Sequence, residues 1–315
     1  MQKGFKGAFD LEGGSIEEYI KIKSRETGAD PEKTCGLLTT ANMQNVSIVS
    51  KTYRDLEVTA IVTGGIEVNG GRAGDPASYY EEDGIFKMLG GTINTILLIN
   101  CNLPEYTMTR AIMTATEAKT VALQQLMAPS RYSNEIATGS GTDMIAIVSN
   151  NISKNILTDS GKHSKLGELI GLCVIEATTK ALKNESDLTP TSQMNMLVRL
   201  ERFGIEENDF WKKSCEIEGE NRKNIFFEAL REIAKKPVVV GQLAGVLHIM
   251  DEISWGLVPK ITGKKIAIQM IRNLPELLEM DPAPELEYLL SERDDIINNW
   301  TKAMSYIIKI LLKNK

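Results

Sequence analysis

Two histidines and four cysteines are all the imidazole and thiol that this 315-residue chain possesses. Cys35, Cys101, Cys173 and Cys215 form no C-x-x-C pair, and neither His163 nor His248 lies at zinc-ligand spacing from them. No metal site is expected, and the cysteines read as reduced thiols, three or more of them buried. Long apolar runs are also missing. None approaches the roughly 18 residues that a membrane span needs, and Met1 to Gly14 holds two lysines but no apolar signal core. The expected location is the cytoplasm, with no membrane partner. Nor is there an excess of basic charge. The net charge is -6, and when the chain is parted after Asn184 each piece holds 18 basic and 21 acidic residues, so nucleic acid is not an expected partner.

What is present is the balance of a folded globular protein, 42% hydrophobic and 25% charged, at a length that suits two domains. Before Asn184 lie 19 of the 25 glycines, whereas Trp211, Trp255 and Trp300 all lie after it. A polar stretch ending in Pro190 separates the two compositions. Expected strands, rich in β-branched residues, are Leu56 to Thr63, Thr92 to Asn100 and Asp143 to Ser149. A long helix is expected over Pro104 to Leu126, with Ile112, Ala115, Ala118, Ala122 and Leu126 inward. Another runs from His163 or Ser164 to Leu182, with Leu166, Leu169, Ile170, Cys173 and Ala177 inward. Cys35 to Ser50 is apolar enough for a strand or two, but its periodicity does not settle the question. After Thr191 the pattern is helical: Met194 to Phe203, Asn221 to Ala234, Val238 to Asp251, Lys264 to Met280 with a break at Pro275, and Glu285 to Leu312. The expectation is thus a layered α/β domain over 1–184, with a mixed sheet, followed by a smaller all-α C-terminal domain over 191–315.

Three segments could carry chemistry. Thr63 to Pro76 has five glycines in fourteen residues directly after a strand, so its backbone can fold tightly and approach a ligand. It matches neither dinucleotide nor P-loop spacing, and a long irregular turn is the plain alternative. Ala137 to Asp143 alternates Gly139 and Gly141 with Thr138, Ser140 and Thr142. Such a loop can hold an anion or a developing oxyanion, or it can be an ordinary turn. Gly161 to Gly171 places His163 at a helix start, where the dipole favours neutral imidazole; capping by His163 or Ser164 explains the same pattern. His248, in an apolar helix, reads as structural. Glu117 and Lys119 read as a solvated helix face.

Taken in order, Val62 to Gly65 with Asn69 and Arg72 to Asp75, then Gly91 to Asn94, Arg110 to Lys119, Ala137 to Asp143 and Lys162 to Gly171, resemble the adenosylcobinamide amidohydrolase (CbiZ) family. The likeness spans roughly Thr34 to Leu182. It implies hydrolysis of the aminopropanol amide of adenosylcobinamide to adenosylcobyric acid, a corrinoid-salvage step in cobalamin biosynthesis. It implies no cofactor, because the cobalt arrives with the corrinoid substrate. Under it, His163 is the expected proton carrier, with Asp143 and Glu168 as partners. Gly139, Ser140, Gly141 and Thr142 form the expected oxyanion loop. Thr63, Asn69, Asp75, Asn94, Glu117, Thr138 and Lys165 join that loop in binding substrate. Attack by water is favoured, since no G-x-S-x-G elbow is present, and Ser140, Thr138 and Thr142 stay open as nucleophiles. A non-catalytic corrinoid-binding protein, or an amidase of the same family with another substrate, is the alternative. A homo-oligomer is compatible with the sequence.

Overall fold

A computed structural model describes residues 12–80, 90–218 and 221–313. The chain divides into two compact units, Met1–Thr189 and Pro190–Lys315.

In the first unit, helix α1 (Ile16–Glu26) precedes strands β1 (Ser47–Tyr53) and β2 (Leu56–Gly65). The two-residue strand β3 (Gly70–Gly71) comes next, then β4 (Thr92–Ile99), helix α2 (Glu105–Gln125), the short β5 (Gly139–Ser140), β6 (Met144–Ser149) and helix α3 (Lys165–Ser186). The main sheet has the order β1-β2-β4-β6, antiparallel except for the parallel β4–β6 pair. Helix α2 is the crossover that a parallel pair requires. It is therefore a mixed sheet with helices, the expected α/β class.

Alternation along β2 and β4 turns Val58, Ala60, Val62, Ile93, Leu97 and Ile99 into one core with the two helices. The buried stripe of α2 is Ala111, Ala115, Ala118 and Ala122. Ile112, expected inward, is 40% exposed. Small residues win this face because α3 packs closely along α2, and a branched side chain would hold the helices apart. Two cysteines, Cys101 and Cys173, are buried, while Cys35 and Cys215 are exposed, which corrects the expectation of three or more.

Direction along the sheet decides what can meet. Lys165 Nζ lies 4.7 Å over the Tyr53 ring at the β1–β2 hairpin, Cys173 Sγ donates to Val58 O, and Leu182 packs on Gly64. Helix α3 thus begins at the hairpin end and finishes where β2 ends. Helix α2, entered from the end of β4, runs the same way. The excursion from β2 to β4 and the loop into β6 therefore lie together at the far end.

The second unit is helical: α4 (Met196–Leu200), α5 (Glu207–Cys215), α6 (Lys223–Ile233), α7 (Pro237–Ser254), α8 (Lys260–Arg272), α9 (Leu274–Leu277), α10 (Glu285–Leu289) and α11 (Ile296–Lys313). Its core centres on the fully buried Trp300 and Phe210. The single helix expected over Glu285 to Leu312 is broken. Asp295 Oδ1 accepts from Asn298 N, and the Asn299 side chain bonds Ser291 on both sides, so local polar contacts outcompete helix continuation. His248 is exposed and its Nε2 lies 3.2 Å from Glu252 Oε1, so it is a surface residue with an acidic neighbour rather than a core one. No single helix among the described residues is long and apolar enough to cross a membrane.

Candidate active site

At the far end of the sheet the two glycine loops are joined. Strand β3 pairs with β5, Gly70 opposite Ser140 and Gly71 opposite Gly139. Thr138 N donates to Gly71 O at 2.9 Å, and Thr138 Oγ1 accepts from Ala73 N at 2.9 Å. A cleft of about 810 Å³ opens here, lined by Gly71 to Tyr79 except Gly74, by Thr116, Lys119 and Thr120 of α2, by Tyr132, and by Thr138 to Asp143 except Thr142.

Its floor is an ion pair. Lys119 Nζ donates to Asp143 Oδ2, and the two side chains are only 8% and 12% exposed. The same oxygen accepts from Ser140 N at 2.9 Å, while Oδ1 accepts from Ser140 Oγ at 2.6 Å and Ile93 N at 2.9 Å. Four donors thus lock one carboxylate in place. Gly139 is required at this spot, because a Cβ there would strike Asp143 Oδ2 and come within 2.6 Å of Lys119 Nζ. Of the loop amides, Ser140 N–H is spent on Asp143 and Thr142 N–H bonds Ser140 Oγ at 3.3 Å, whereas Gly141 N–H has no partner among the described residues. Of the three Lys119 N–H groups, one is given to Asp143.

A second carboxylate, Asp75, lies at the cleft wall. Its Oδ2 accepts from Ser130 Oγ at 2.5 Å and Arg72 N at 2.7 Å. Burial pushes this acid up, but the Ser130 and Ser133 hydroxyls and the Arg72 N–H and guanidinium outweigh it and hold the carboxyl below its ordinary range. Arg72 in turn pairs with Glu135 at 2.8 Å.

The remaining expected residues divide into supports and outliers. Asn69, Asn94 and Thr63 are buried beneath the loops. Asn69 Nδ2 donates to Gly91 O at 2.6 Å, and Asn94 Nδ2 donates to Leu38 O at 2.5 Å. Thr63 sits opposite Asn94 in the ladder. Thr142 Oγ1 donates to Gly91 O and Thr142 O accepts from Thr92 Oγ1, both at 2.7 Å, so Thr142 ties the loop down rather than lining the cleft. These contacts position the loops.

His163, Lys165 and Glu168 are not among the residues that line the cleft. They lie at the start of α3, where Lys165 reaches Tyr53 of the hairpin. Ser160 just before them is held against Thr107 and Thr114 of α2, and Lys162 pairs with Glu117, the residue after the cleft-lining Thr116. His163 is exposed and makes no hydrogen bond or ion pair among the described residues. Ser164, not His163, caps the helix through Gly167 N at 3.0 Å. Lys165 pairs with Glu168 at 2.5 Å, and Glu117 with Lys162 at 2.6 Å, both on the surface. Conversely, Lys119 belongs to the site although its sequence context read as solvated. The signal was its register, four residues after Ala115 and three before Ala122 on the buried stripe. Thr120, Ser130 and Tyr132 carried no such signal.

Comparison with known proteins bears on this geometry. A sequence model of the adenosylcobinamide amidohydrolase family matches residues 2–190, the part that holds the whole cleft. The chain belongs to this family. It is 38% identical over 180 residues to an uncharacterized protein of Methanocaldococcus jannaschii, covering 53% of this chain and 70% of that one. It is 30% identical over 178 residues to the adenosylcobinamide amidohydrolase of Methanosarcina mazei, covering 54% and 74%. No solved structure matches. The family match stops where the second unit begins.

Proposed function

We propose that this chain hydrolyses the aminopropanol amide of adenosylcobinamide, giving adenosylcobyric acid and aminopropanol, and that the cleft over Lys119 and Asp143 is where the amide bond breaks. The observation that carries the reading is the nearly buried Lys119–Asp143 pair set against Gly139 to Gly141 within the family-matched region. Amide hydrolysis builds negative charge on the carbonyl oxygen as the nucleophile adds to its carbon. Donors aimed at that oxygen in a site shielded from water are the largest single contribution to such reactions. Lys119 Nζ and Gly141 N–H are the donors left free here. Ser140 Oγ, which donates to Asp143, belongs to the residue beside Gly141; a water adds to the carbonyl carbon, or this hydroxyl does and a water then cleaves the ester so formed. The proton that the nucleophile gives up passes to the nitrogen as the C–N bond breaks, and the amine leaves. Asp75, held ionised at the wall, suits the hydroxyl or ammonium of the departing aminopropanol. The corrin lies outside the cleft mouth and brings its own cobalt.

The test is to incubate purified protein with adenosylcobinamide and follow aminopropanol by mass spectrometry. Release of aminopropanol with one new carboxylate supports the reading. Tight corrinoid binding without release would make the chain a binding protein, and release from another amide only would move the substrate.

A further inference from the structure

The turn between α7 and α8 exposes apolar side chains that a helical unit ordinarily hides. Trp255 is 47% exposed, Leu257 69% and Ile261 73%, all within seven residues, and Ile266 follows on α8 at 43%. The backbone beneath them is fixed. Gly256 takes φ +74°, and the N–H groups of Leu257 and Val258 both donate to Glu252 O, at 2.9 and 3.3 Å. Basic charge follows the turn: Lys260, Lys264 and Lys265 come next, and none forms an ion pair among the described residues. Of the two acids that precede it, Asp251 is paired with Arg202 at 2.8 and 2.9 Å, and Glu252 Oε1 lies 3.2 Å from His248 Nε2.

We propose that this turn docks on the surface of an anionic lipid bilayer. An indole with two aliphatic side chains next to clustered lysines is the combination that sits at headgroup level, with apolar groups in the acyl boundary and ammonium groups at the phosphates. Magnitude decides between a bilayer and a folded partner. A stable protein interface takes about 20–30 residues a side, whereas a few inserted side chains backed by about 1 kcal/mol per lysine suffice for reversible membrane contact, roughly a fivefold change in partitioning each. The docking is independent of the hydrolase reading, because the turn lies in the unit outside the family match.

The full chain is mixed with vesicles of phosphatidylcholine alone or with added phosphatidylserine, and the bound fraction is read by sedimentation and Trp fluorescence. Expected is binding to the anionic vesicles only, weakening as salt rises. Replacing Lys260, Lys264 and Lys265 by Gln lowers partitioning by about fivefold per residue. Trp255→Ser with Leu257→Ser and Ile261→Ser abolishes it, with unchanged circular dichroism because these positions are exposed. No binding of the parent, or undiminished binding of either triple variant, overturns the proposal. So does concentration-dependent self-association that the apolar variant removes, since the turn would then be a contact between copies.

Discussion

Lys119→Met tests the site most directly, because it removes one charge from a pair that water hardly reaches. With Lys119 and Asp143 at 8% and 12% exposure, solvent screening is slight. Asp143 would keep its bonds from Ser140 and Ile93 but lose its counter-charge. Removing one partner of a buried pair costs about 3–5 kcal/mol, which lowers the midpoint of thermal unfolding by on the order of 10 °C in a unit of this size. Turnover of adenosylcobinamide should fall by about 10²- to 10³-fold, the usual effect of losing one oxyanion donor. Stability and catalysis separate in the double variant with Asp143→Asn. Thermal unfolding should recover part of the loss, because the stranded charge is gone, while aminopropanol release stays low. A folded Lys119→Met protein that releases aminopropanol at close to the parent rate would refute the assignment of Lys119 to the reaction.

His163→Ala and His163→Asn should both leave turnover near the parent value, since His163 is exposed and does not line the cleft; a drop of about 10²-fold or more would restore it as the proton carrier. The Asp75 carboxyl is lowered from 3.8 on folding, so it stabilises the fold fully above that value and the contribution disappears as pH falls through the lower folded value. Asp75→Asn should therefore be less stable than the parent at neutral pH and indistinguishable from it in strong acid, in unfolding titrations run across pH. Thiol titration of the native protein at pH 8 should count two fast cysteines, Cys35 and Cys215. Cys101, raised by burial, and Cys173, pushed up to about 11 chiefly by burial, should react only after unfolding. Four fast thiols would mean a looser core.

The strands and the two long helices of the first unit were legible because each repeats a signal over many residues. Leu56 to Gly65 and Thr92 to Ile99 are β-branched and bounded by glycine, and α3 buries its predicted stripe from Leu166 to Ala177. The three glycine segments suit one shared cleft by their sequence; the first two, which adjoin strands, meet at one end of the sheet. Where Gly161 to Gly171 falls depends on the direction of α3 along β2, a tertiary property that no local pattern encodes. Ile112 and Lys119 depart from what their polarity suggests for one reason: close helix packing puts Ala111 inside and Ile112 outside. Capping by Asp295 and Asn299 was likewise a side-chain contest invisible to hydrophobic periodicity.

Among the described residues strand β6 has a single neighbour, β4, and none of its residues is fully buried. Asp143 stands immediately before it, bonded to Ile93 on β4 and to Lys119 on the crossover helix. The site is thus hinged to the most easily frayed edge of the sheet. Opening of β6 alone, a sub-global event that leaves the packing of β2 and the two helices in place, would part the carboxylate from both its anchors. Mild denaturant or heat should accordingly silence the cleft while most of the fold persists, and a ligand that bridges Lys119 and the Gly139 to Gly141 loop would pin the edge strand it sits beside.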